Sequence, residues 1–151
     1  MTPVVRDARP PAVVVGALNV VLRRLLRTPL ARWIDALVLL EFDGRRTGRH
    51  YRVPVGWYVA GGGRVVFSPA RWPANFAGTA QVLVHHRGRA TPMVGTLVSD
   101  PAATAAAIAE VLASGASTRF LAVDVPAGHR ITAEDTARLK TAMVRLEPRR
   151  G

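Results

Sequence analysis

The sequence predicts a mainly β domain with flanking helices, in which about six mostly antiparallel strands close into a barrel or closed sheet. Two observations carry that expectation. Short apolar runs of strand length alternate with glycine-bounded hairpin signals between residues 36 and 99, and helical patterns are confined to the flanks. No internal repeat or linker divides the 151 residues, so residues 12–151 are expected to form one domain behind an arm of residues 1–11.

The arm carries Pro3, Pro10 and Pro11 and is expected to be loose. From Ala12 to Arg27 the pattern turns helical, with Asn19, Arg23 and Arg27 on one face and Leu18, Val21, Leu22 and Leu25 on the other. Thr28-Pro29 has the form of an N-cap followed by proline at the first helical position, which restarts a short helix through Asp35. This helix has two readings, as a cap on a barrel mouth or as a membrane-surface helix, since Arg23, Arg24, Arg27 and Arg32 flank its apolar stripe. The apolar run Pro11 to Leu22 falls short of the ~20 residues a bilayer span requires. With no secretory pattern, a cytoplasmic location is expected, with or without peripheral membrane contact.

Strands are expected at Ala36–Phe42, His50–Val59, Arg64–Ser68, Gln81–Arg87, Ala90–Ser99 and Met143–Glu147, with Arg119–Val125 as a further candidate. Gly61-Gly62-Gly63 and Gly88-Arg89 mark hairpins, and Pro69 and Pro73 mark a loop. Pro101–Ala113 reads as an alanine-rich helix capped by Asp100. Thr132 to about Lys140 reads as a second helix with a Thr132–Asp135 capping box.

Composition narrows the chemistry. The absence of cysteine removes disulfides, thiolate nucleophiles and zinc–thiolate sites. Ser68, Ser99, Ser114 and Ser117 lack a nucleophile-elbow context, and Glu41 and Asp43 are the only acids between Asp35 and Asp100, too few for paired-carboxylate catalysis. The formal charge of +11, nearly all from arginine, favours an anionic ligand. A chain with ten acids suits a protein that binds and orients while a cofactor performs the reaction. His85 and His86 fall on opposite faces of a strand, so one is expected to face solvent and no metal pair is expected. His129 reads as an exposed loop histidine. Trp33, Trp57 and Trp72 read as packing residues, with Trp72 the one nearest a site.

The most informative stretch is the turn Gly44-Arg45-Arg46-Thr47-Gly48 between two strands. Consecutive backbone N–H groups there can form an anion-binding nest, with the guanidinium groups of Arg45, Arg46 and Arg49 and the Thr47 hydroxyl as further donors. It is not a Walker loop, because the spacing and the following helix are missing.

This turn, with Pro54 six residues after its second glycine, resembles the signature of the deazaflavin-dependent nitroreductase family, within the split β-barrel flavin and deazaflavin oxidoreductases of pyridoxamine-phosphate-oxidase type. Trp72 and Asn75-Phe76 resemble the family's segment after the third strand. Leu146-Glu147-Pro148 resembles its terminal strand, and Leu25 to Leu30 resembles the helix entering the barrel. The resemblance spans roughly residues 18–148.

It implies a split β-barrel whose turn holds the anionic tail of the deazaflavin coenzyme F-420, with flavin mononucleotide (FMN) as the alternative. Arg45, Arg46, Thr47 and Gly48 would bind phosphate. Val53, Pro54 and Val55 would lie along the ring system, with Ser68, Trp72 and Asn75 bordering the site. The implied reaction is hydride transfer to a quinone, an activated alkene or a nitro compound, with Tyr51 or Tyr58 as proton donor, in a chain that relatives suggest is a homodimer. Two departures leave the substrate open. The loop Ser68-Pro69-Ala70-Arg71 is short, and the C-terminal region offers Phe120 and His129 in place of the family's tyrosine cluster. Outside this class stand a non-catalytic cofactor-binding protein and a nucleic-acid-binding module. Aromatic residues make up 6% of the chain, and the strands show no interleaved aromatic platform for bases.

Overall fold

The computed structural model describes residues 5–7, 37–86, 88–115 and 121–149. The expected helices of residues 12–35, Trp33, Arg119 and Phe120 lie outside them. Strand β1 (Arg6–Asp7) is followed by β2 (Leu37–Asp43), β3 (His50–Ala60), β4 (Gly63–Ser68), a 3₁₀ helix (Trp72–Phe76), β5 (Ala80–His86) and β6 (Arg89–Val98). Helix α1 (Pro101–Ala113), β7 (Val123–Asp124), α2 (Ala133–Ala137) and β8 (Ala142–Pro148) complete the chain.

Six strands close into an antiparallel barrel in the order β2-β3-β4-β8-β6-β5. The expected mainly β fold, a barrel of six antiparallel strands with flanking helices, is therefore the observed fold. Its long strand β3 serves two neighbours. Residues 50–56 pair with β2, and residues 57–60 pair with β4. Among the described residues, β2 is thus the sole strand partner of residues 50–56. Pro54, which cannot donate to a ladder, falls in this one-sided stretch.

Four expectations change. Arg6–Asp7 of the supposed loose arm pairs with β7, so that the strand expected at Arg119–Val125 is a two-residue ribbon strand outside the barrel. The loop around Pro73 is a 3₁₀ helix, started by proline at its first turn. The helix expected from Thr132 to Lys140 ends at Ala137, although its capping box forms as read. Helix α1 has the expected span, and the Asp100 side chain accepts the Ala102 N–H at 3.0 Å.

The two faces of the barrel wall bury separate cores. Inside lie Val38, Leu40 and Phe42 of β2, Val55, Val66, Val82, Val84, Val144 and Leu146, closed by Trp72 and Phe76. Outside, α1 packs Ala105, Ala107, Ile108 and Val111 onto Tyr58, Val65, Phe67 and Met143. The unbroken apolar run of β2 follows from burial on both faces, since Leu37 and Leu39 are buried as well. Phe76 enters the barrel over Gly95: a Cβ there would stand 2.6 Å from the ring, so only glycine admits the plug.

Candidate functional site

At the mouth closed by the 3₁₀ helix, the β2–β3 hairpin carries the basic turn. Asp43 opposite His50 is the last pair of the ladder. Above it, the Gly44 N–H donates to the Arg49 carbonyl at 2.6 Å, and the Gly48 N–H donates to the Gly44 carbonyl at 2.9 Å. Gly48 has φ 71°, a left-handed conformation in which a side chain would be strained. The Thr47 hydroxyl oxygen accepts the Arg49 N–H at 3.3 Å.

Three residues singled out by sequence meet here in an unexpected role. The Arg45 N–H donates to Asn75 Oδ1 at 2.9 Å, and Arg45 Nη1 donates to the Ala77 carbonyl. Asn75 Nδ2 in turn donates to the Trp72 carbonyl at 2.9 Å. Arg45 and Asn75 therefore fasten the turn to the plug. The expected run of open N–H groups shrinks to two, because those of Gly44, Arg45, Gly48 and Arg49 are engaged within the protein. The N–H groups of Arg46 and Thr47 remain uncommitted among the described residues. The side chains of Arg46 and Arg49 are exposed, and the Arg49 guanidinium lies 5.5 Å from the Tyr51 ring centroid.

Strand parity sorts the remaining candidates. Tyr51, Val53 and Val55 face the barrel interior, whereas Pro54 and Tyr58 project to the other side. The side chains of Val53, Pro54 and Val55 accordingly do not share one surface, and only their backbone edge can run along a ligand. Tyr51 stacks on Phe42 with ring centroids 5.2 Å apart. Tyr58 is 3% exposed in the outer core, beyond the barrel wall from Tyr51, and is ruled out as a proton donor at this mouth. Ser68 is buried at the end of β4, where its hydroxyl accepts the Ala70 N–H at 3.1 Å. Trp72 is buried too, its ring 5.8 Å from Phe42 and 6.1 Å from Phe76, so it packs the plug and offers no open stacking platform.

Sequence reasoning missed a network on the outer face of β2, β3 and β5. Glu41 accepts from His85 Nε2 at 2.7 Å on one oxygen, and on the other from His50 Nε2 at 2.7 Å and Arg52 Nε at 3.2 Å. The second ring nitrogen of His50 lies 2.8 Å from Asp43 Oδ1. Burial pushes the Glu41 carboxyl up, but the hydrogen bonds of His85 and His50 and the Arg52 charge outweigh it and bring it down to about 2. The signal was the hairpin register itself: a turn closed by Gly44 and Gly48 sets Asp43 across from His50 and Glu41 across from Arg52.

His85 and His86 do face opposite sides, yet both are half-buried. His85 binds Glu41, and His86 lies against Trp57 with centroids 4.6 Å apart, while Arg64 covers the Trp57 ring. His129 is no free loop residue either: its Nε2 lies 3.0 Å from Asp135 Oδ2, within the α2 capping box. Among the described residues, no group of three or more His, Cys, Asp or Glu is arranged to hold a metal ion, and no helix is long and apolar enough to cross a membrane. A cleft of about 290 Å³ opens between the end of β6, the start of α1 and α2, lined in part by Leu97, Lys140 and Ala142. Ala142 pairs with Ser68, so the cleft adjoins the end of β4 at the plugged mouth.

No protein-family model and no curated protein matches the chain. Among solved structures, HutZ, the heme storage protein from Vibrio cholerae, is similar to this chain over 80% of its length and 87% of its own, with 14% identity and a TM-score of 0.47.

Proposed function

We propose that this protein is an oxidoreductase that holds a phosphate-bearing flavin or deazaflavin at the plugged mouth and reduces an electron-poor small molecule. One observation carries the reading. The basic turn is fastened to the plug by Arg45 and Asn75, yet among the described residues it leaves the N–H groups of Arg46 and Thr47 uncommitted and the side chains of Arg46 and Arg49 exposed. Fixed donors of this kind bind an anion without first having to be ordered. The donor set fits one phosphate group, with Arg46 and Thr47 supplying amides and Arg46 and Arg49 supplying charge.

Residues 50–56 of β3, which among the described residues pair with β2 alone, would offer backbone groups as hydrogen-bonding partners for the ring system. A bound, reduced flavin or deazaflavin supplies the hydride. The chain's own part is to hold that ring against the acceptor and to keep water from it, which the plug of Trp72 and Phe76 and the interior face of β3 favour. Of the two tyrosines, Tyr51 is the proton donor we assign, because its ring lies against Gly44 of the turn whereas Tyr58 is buried in the outer core. The acceptor class follows from the reaction: a quinone, an activated alkene or a nitro compound.

Titration of the purified protein with F-420 and with FMN tests the reading, and micromolar binding of either is expected. Arg46→Ala should weaken that binding about 10- to 100-fold, the worth of about 1.5–3 kcal/mol for hydrogen bonds to a charged group. Absence of micromolar binding to both would sink the proposal.

A further inference from the structure

The base of the hairpin beneath the basic turn holds a feature that the phosphate reading does not use. His50 lies between two carboxylates, with Nδ1 2.8 Å from Asp43 Oδ1 and Nε2 2.7 Å from Glu41 Oε2. Ionised carboxylates only accept, so the ring satisfies both by donating from both nitrogens, which makes it an imidazolium. We propose that His50 is a positioning residue for the turn: as the imidazolium it clamps the hairpin base shut under Gly44–Gly48, and on losing its proton it releases one carboxylate and loosens the turn. The consequence for ligand binding rests on reading that turn as the phosphate site.

Asp43 and Glu41 face His50 from β2. Glu41 is itself held by Arg52 of β3 and by His85 of β5, so its carboxylate keeps two partners when His50 lets go. Arg49, the nearest turn cation, is directed over Tyr51. The hydrogen bonds to Asp43 and then to Glu41 hold the His50 ring above its ordinary 6.5, against the pull of desolvation. A raised value means that the clamp is closed at lower pH and opens as pH rises through that value. The first bond above the clamp is the one from the Gly44 N–H to the Arg49 carbonyl, so loosening is felt where the turn begins.

Nuclear magnetic resonance of the full chain without ligand tests the clamp alone. The His50 ring signals should titrate above 6.5, and the Gly44 and Gly48 amide signals should shift with the same midpoint. Binding of F-420 or FMN, measured across that pH range, should weaken about two- to fivefold on the alkaline side, as fits an exposed ionic contact. His50→Arg keeps the charge and can donate to both carboxylates, so it should abolish the His50-linked change and leave only the ligand's own titration. His50→Gln should bind weakly throughout. The proposal fails if His50 titrates at or below 6.5, if the two glycine amides ignore its titration, or if His50→Arg keeps the wild-type pH profile. If the amides follow His50 but neither cofactor binds, the clamp stands and the phosphate reading falls.

Discussion

The cores on the two sides of the barrel wall are built from different materials. Inside, Phe42, Trp72 and Phe76 meet in one cluster contributed by a strand and the 3₁₀ helix, with Phe42 and Phe76 centroids 4.8 Å apart. Outside, α1 presents Ala105, Ala107, Ile108 and Val111 to the sheet. The inner cluster is enclosed by a hydrogen-bonded wall that cannot collapse around a void, whereas a helix of small side chains can settle onto the sheet. The basic turn is attached to the rigid side. Its donors hang from the plug through Arg45 and Asn75, so the precision of any site there is inherited from the inner core.

That contrast can be broken by mutation. Phe76→Ala should cost the most, about 3–5 kcal/mol in urea unfolding, because the lost ring leaves a cavity in a closed barrel. Ile108→Ala should cost less, about 2–4 kcal/mol, since α1 can close part of the gap. An equal or larger loss at Ile108 would remove the distinction between the cores. Gly95→Ala, which sets a methyl against the Phe76 ring, should cost about 1–3 kcal/mol through overpacking, and should be relieved when combined with Phe76→Leu.

A smaller effect sharpens the link between plug and turn. Asn75→Ala removes the acceptor for the Arg45 N–H and should cost about 0.5–1.5 kcal/mol in stability, while weakening flavin or deazaflavin binding by a larger factor than its stability loss implies. The smallest change concerns acid. Because the Glu41 carboxyl is lowered from 4.5 to about 2, its contribution is complete above 4.5 and fades as pH falls toward 2. Unfolding midpoints at about pH 6 and pH 3 should differ less in Glu41→Gln than in the parent protein.

Most of the barrel was legible because its signals are local. Glycine pairs at Gly44–Gly48 and Gly61–Gly63 fix hairpins, period-2 burial fixes faces, and the doubly buried run of β2 marks a wall strand. What stayed hidden depends on pairing between distant residues. Asn75 reads as a site residue in sequence, and its role as a latch appears only when the plug brings it to Arg45, thirty residues earlier. Tyr51 and Tyr58 read alike until the wall of the barrel separates them. Phe76 and Gly95 show their mutual need only after the plug folds inward. The short helix α2 has a sound start signal, the Thr132–Asp135 capping box, but no local signal for its end at Ala137.

The one-sided stretch of β3 also bears on solubility. Among the described residues, residues 50–56 have a strand partner on one side only, and an unpartnered strand edge is the kind of border along which a second chain can add a strand and start a fibril. His50, Arg52 and Pro54 stand along that border. His50 and Arg52 set ion-paired charge beside it, which is costly to bury under a second chain, and a proline interrupts any incoming ladder. The ion-paired charges and the proline of this strand thus guard it against pairing with other copies of the protein.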